Sequence, residues 1–161
     1  MQIIKPTSGY QAHQEQISIF LAGSIEMGLA ENWQESIPIS FINKPVCFFN
    51  PRRDDWDSSW SQKQTDPQFN HQVNWEMNRL EKSDIIFMYF SPETKSPISL
   101  LELGAYGDSD KMIVCCPDGF WRQGNVEIFC TRKNIPFFKD FEEAVGALHT
   151  KASSLLSNLV Y

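Results

Sequence analysis

At 161 residues the chain has the length of one ordinary domain, residues 1–161, long enough to bury a proper core. A net charge of −6 without any basic run argues against a nucleic-acid-binding surface, and no stretch has the length or apolarity of a membrane span or a signal core. The aromatic share, 13% with twelve Phe and five Trp, exceeds what an interior of this size needs, so some rings are candidates to line a pocket for flat ligands while most Phe fill the core. Cys47, Cys115 and Cys116 fall in apolar runs, and neither these nor Cys130 forms a CxxC or Cys/His spacing. Reduced thiols, a cytoplasmic protein and no metal or cofactor are the expectation.

Residues 1–16 are polar and read as a lead-in or a short edge element. The run ISIFLA at 17–22 is the first strand, and it ends at Gly23-Ser24, the place where an α/β sheet opens its ligand cleft. A single Gly is also compatible with a plain strand-to-helix turn, and neither GxGxxG nor a GKS/T phosphate loop is present. Residues 30–39 predict a helix weakened near its end by Pro38, and VCFF at 46–49 predicts a second strand. The polar stretch 50–67, NPRRDDWDSSWSQKQTDP, is long for a connection between buried elements and marks a binding loop, or a lid packed by its own rings.

Phe69, Val73, Met77 and Leu80 predict an apolar stripe on a helix over 69–82, and Glu76 falls on it. The unbroken run 85–90, IIFMYF, predicts a strand covered on both faces, which Pro92 stops. Pro97 starts the next helix. Ile98, Leu101 and Ala105 form its stripe, Glu102 completes it, and Gly104 and Gly107 allow close approach. A glutamate on an apolar stripe is more often paired with Arg or Lys than reactive. Two of them, on the helices either side of one strand, point instead to an acid/base or nucleophile pair. Further strands are expected at 111–116 and 135–138, with helices at 126–133, capped by Asn125, and 141–159. The alternation predicts a doubly wound, mostly parallel five-stranded α/β sheet with helices on both faces, flavodoxin- or Rossmann-like, joined by right-handed crossovers.

The ordered set IFLAGSI (19–25), NPRRDDW (50–56), NWE (74–76), SDII (83–86), LLELG (100–104) and GNVEI (124–128) resembles the nucleoside 2-deoxyribosyltransferase family. That resemblance implies a doubly wound fold and exchange of purine or pyrimidine bases on 2-deoxyribose by double displacement. It implies Glu102 as the nucleophile, Glu76 as an acidic residue at the base, and Asn125 as a residue supplied by a neighbouring subunit, hence an oligomer. Gly23, Ser24, Arg53, Asp54 and Trp56 are candidate substrate contacts. The expected partners are deoxynucleosides, free nucleobases and further copies of the chain. The chain departs from the family's pattern twice: Ile19-Phe20-Leu21 replaces a strand Tyr, and the loop before the nucleophile helix offers Ser96 where many members carry Asp. The competing readings are an N-glycosidase acting on a nucleoside or nucleotide, and a nucleotide-binding module without chemistry. Because the first strand's loop offers only Ser24 to a 5′-phosphate, a free nucleoside is the expected substrate.

Overall fold

The structure, a computed structural model, describes residues 1–7, 16–53, 55, 57 and 59–159. Among the described residues six parallel strands form one sheet: β1 (Gln2–Ile4), β2 (Ile17–Gly23), β3 (Val46–Phe49), β4 (Ile85–Tyr89), β5 (Met112–Cys115) and β6 (Phe137–Phe138), in the order β1-β3-β2-β4-β5-β6. All five strands expected from the apolar runs are present. The sixth, β1, is the edge element within the polar lead-in, and it pairs with β3 from Gln2 against Cys47 to Ile4 against Phe49. Every residue of β3, β4 and β5 is buried, as a sheet covered on both faces requires.

Helices α2 (Pro67–Lys82), α3 (Pro97–Tyr106) and α4 (Gln123–Lys133) cover one face through Trp75, Leu80, Leu103, Val126 and Cys130. Helices α1 (Ser36–Ile39) and α5 (Phe141–Leu159) cover the other through Ile37, Ala144, Leu148 and Ala152. The helix expected over residues 30–39 is a 3-10 turn, Trp33–Glu35, running into the one-turn α1. Pro38 inside that turn removes a backbone donor, which accounts for so short a helix. All four cysteines are free and buried.

Two details fix the strands that carry the site. At its start, the Asp84 carboxylate accepts from the Ser18 amide (2.8 Å) and hydroxyl (2.6 Å), pinning β4 beside β2. At its end, Gly23 has φ +131° and lies against the Tyr89 backbone so closely that a Cβ there would strike the Tyr89 carbonyl. Only glycine meets both conditions.

Two expectations about helix faces are corrected. On α3 the stripe Ile98, Leu101 and Ala105 faces outward, and Ser99 and Leu103 are the buried positions. On α2 the inward anchors are Gln72, Trp75 and Leu80, whereas Met77 is half exposed. Trp75 packs against Phe20 and Phe49, and Met77, two positions on and so about 200° round the helix, points away. Asn125 is not a cap either. The helix begins at Gln123 after Arg122, which leaves Asn125 inside the first turn.

Candidate functional site

The chain leaves β2 towards β3 by way of α1 on one face, and leaves β4 towards β5 by way of α3 on the other. The carboxyl ends of these neighbouring strands therefore part, which makes the topological switch point where doubly wound sheets bind ligands. Gly23-Ser24 lies on one side of this crevice and the loop Ser91–Ser96 on the other. The loop carrying Pro51 to Asp66 follows β3 at the same end.

Glu102 and Glu76 come from α3 and α2, the helices that follow and precede β4 on one face of the sheet. Both are half-buried. Burial pushes the Glu76 carboxyl up from 4.5 to about 7, against a 2.7 Å hydrogen bond donated by Gln72 Nε2 that lowers it. Burial pushes Glu102 up to about 8, and the charge of nearby Glu76 adds to the rise. Among the described residues Glu102 accepts no hydrogen bond and has no cation beside it. Two carboxyls that interact in this way share protons, so near neutral pH the pair holds about one.

Gln72 went unnoticed in the sequence, where it is one polar residue among many. Its amide bridges the pair to the loop after β3, donating to Glu76 Oε1 and, at 3.0 Å, to the Pro51 carbonyl, while its own Oε1 is buried without a partner among the described residues. The helical spacing of Gln72 and Glu76 was the available signal. Phe20, at the place of the absent strand Tyr, packs its ring against Trp75 on the same side of the sheet. Tyr89 does not replace that hydroxyl, because it points to the opposite face and donates to Glu31.

In the loop after β3, Arg53 is spent within the loop itself. It makes a two-pronged pair with Asp55 (2.9 and 2.7 Å) and lies 4.7 Å from the centre of the Trp60 ring. Its neighbour Arg52, which sequence reasoning passed over, donates to the carbonyls of Gly28, Ala30 and Glu31 and so straps the segment after β2 to this loop. Asp54 and Trp56 lie outside the described residues.

Ser24 is fully buried and ties the end of β2 to the loop Ser91–Ser96. Its amide donates to the Tyr89 carbonyl, its hydroxyl accepts from the Ser91 amide (2.9 Å), and it contacts the hydroxyls of Thr94 (2.8 Å) and Ser96 (2.7 Å). Ser24 is the hydroxyl that the loop after β2 offers, and the loop before α3 adds two more beside it, Thr94 and Ser96, from some seventy positions along the chain. Asn125 is exposed on the first turn of α4. On the three helices of this face, Met77, Ile98, Leu101 and Ile128 are half or more exposed.

No protein of curated function matches the chain. A family model described as nucleoside 2-deoxyribosyltransferase like matches residues 16–120, a span that contains Gly23, Ser24, both glutamates and the loop after β3 but ends before Asn125. With well over half of its length matched, and with the doubly wound parallel sheet that the resemblance implies, the chain belongs to the nucleoside 2-deoxyribosyltransferase-like family.

Proposed function

We propose that the protein transfers the 2-deoxyribosyl group between purine or pyrimidine bases through a covalent intermediate on Glu102. The observation that carries this reading is the pair itself: two neighbouring half-buried carboxyls, both with proton affinity raised into the neutral range, of which Glu102 accepts no hydrogen bond among the described residues. In the first step the bond from the anomeric carbon to the base nitrogen breaks and a bond from that carbon to a Glu102 oxygen forms. The pair shares one proton, and for this step it must stand on Glu76, so that Glu102 attacks as the carboxylate and the leaving base takes the proton. In the second step the incoming base attacks the same carbon, its proton passes to Glu76, and Glu102 leaves as carboxylate. The transition state has oxocarbenium character, and a carboxylate of low hydration beside it stabilises the developing positive charge. The loop that bears Asp54 and Trp56 is assigned to base and sugar contacts and to excluding water while the ester exists, with Arg53 bracing that loop through Asp55 and Trp60.

The outward apolar residues of α2, α3 and α4 support self-association on this face, with Asn125 offered to a neighbour's crevice. A hydrolase acting on a nucleotide is the second reading, favoured by the cluster of hydroxyls around Ser24. The deciding experiment incubates a deoxynucleoside with and without a second base and follows the products by chromatography. A new nucleoside formed only with the acceptor supports transfer, release of base without one indicates hydrolysis, and no reaction in either tube sinks the proposal. Glu102→Gln is expected to lower the exchange rate by on the order of 10³-fold or more while the circular-dichroism spectrum is retained.

A further inference from the structure

The segment after β2 sends a carboxylate back across the crevice. Glu26 Oε1 accepts hydrogen bonds from the amides of Lys95 (2.7 Å) and Ser96 (2.6 Å), the two residues that lead into α3. This contact is not a by-product of relaxed local geometry. Glu26 has φ +48° and Ser96 φ +43°, both in the left-handed region that non-glycine residues rarely occupy. Such strain persists only where surrounding contacts enforce it. Here Arg52 grips the carbonyls just beyond Glu26, and Ser24 grips Ser96.

Amides at the start of a helix, backed by its dipole and next to several hydroxyls, suit the oxygens of a phosphate. In this chain Glu26 has already filled them with negative charge of its own. The helix rises about 1.5 Å per residue, so Ser96 lies about 9 Å along the axis from Glu102, whose side chain leans back towards it. With the sugar placed at Glu102 and the base towards Glu76 on α2, as proposed above, the start of α3 is the side left to the 5′ arm, and there Glu26 and the Ser91–Ser96 loop meet.

We infer that Glu26 is a specificity-determining residue: its carboxylate occupies the anion position at the 5′ end of the sugar, admits a neutral 5′-hydroxyl and rejects a 5′-phosphate. The inference rests on the placement of the sugar at Glu102 proposed above. It resolves the ambiguity of the hydroxyl cluster, which taken alone would suit a nucleotide. Like charges brought together at such a position are strongly disfavoured.

The test compares binding of deoxyadenosine and deoxyadenosine 5′-monophosphate by calorimetry, in the wild type and in Glu26→Gln. Glutamine keeps an oxygen that accepts from both amides and removes only the charge. The wild type is expected to bind the monophosphate at least about 30-fold more weakly than the nucleoside, and Glu26→Gln to narrow that ratio by about tenfold or more. An unchanged ratio in Glu26→Gln, or a wild type that binds both ligands alike, overturns the inference. Glu26→Ala, paired with a thermal melt, separates charge from capping: a lowered Tm with an unaltered ratio in both variants leaves Glu26 a structural cap only. Base exchange by the wild type is followed in parallel. Its absence counts against transferase activity, while the binding ratio still judges Glu26.

Discussion

At the scale of single residues, the glutamate pair makes the sharpest commitments. In the unfolded chain both carboxyls titrate near 4.5, and in the fold they hold protons up to about 7 and about 8. Above about pH 4.5 the folded state therefore binds more protons than the unfolded one, and stability falls with rising pH through that window. Glu102→Gln removes this penalty. Its Tm is expected to exceed that of the wild type by about 3 °C or more at pH 8, corresponding to about 1 kcal/mol, and to match it near pH 4. A gain of equal size at both pH values would mean that the charge is not the cause. For exchange, the pair must hold one proton, so the rate is expected to peak between about pH 7 and 8 and to fall on both sides, with apparent values that belong to the pair. Gln72 modulates this, because its hydrogen bond lowers Glu76. Gln72→Leu is expected to shift one limb of the pH–rate profile upward by up to about one unit, a movement that a purely structural loss would not produce.

At the scale of elements, the strands were legible and the helix faces were not. Apolar runs such as IIFMY have one explanation in a small α/β chain, a strand buried on both faces, and β4 is that strand. The stripe Ile98, Leu101, Ala105 has two, because periodicity reports that a face is apolar without saying what covers it. In α3 the inward side is held by Leu103 and Ser99, and the stripe looks outward. Glu102 was thus singled out for a reason the fold does not uphold, since the stripe it was thought to complete is exposed; its half-burial comes from the flank of the helix. The hydroxyl cluster escaped notice for a different reason: Ser24 and Ser96 meet only through the pairing of β2 with β4, and nothing local announces it. Gly23 belongs to this scale too. Gly23→Ala would put a Cβ into the Tyr89 backbone at a φ that alanine avoids. A loss of about 2–4 kcal/mol in denaturant unfolding is expected, and a loss below about 0.5 kcal/mol would show that β2 and β4 part without cost.

At the scale of the whole molecule, the question is what lies over α2, α3 and α4. Met77, Ile98, Leu101 and Ile128 leave apolar surface in water that another copy of the chain would cover. Leu101→Glu is expected to reduce the particle mass in sedimentation to that of a monomer and to lower base exchange by at least about tenfold, with its melting cooperative as before. A wild type that sediments as a monomer at micromolar concentration would remove the basis for a shared site. Where association holds, mixing Asn125→Ala with Glu102→Ala subunits is expected to recover part of the activity that each lacks alone, because some mixed assemblies then contain one intact crevice.

The pairing of β2 with β4 also has a kinetic side. Ser18 and Asp84, like Gly23 and Tyr89, are brought together across 66 positions of chain, and the intervening segment carries β3 and α2. Closing so long a loop is entropically uphill until the strands zip together. During refolding from denaturant, catalytic competence should consequently emerge with the slowest cooperative phase, after most helical signal has returned. A circular permutant opened between α4 and β6 would leave that ordeal unchanged, whereas one opened between β3 and α2 would turn β2 and β4 into distant partners joined through the old termini.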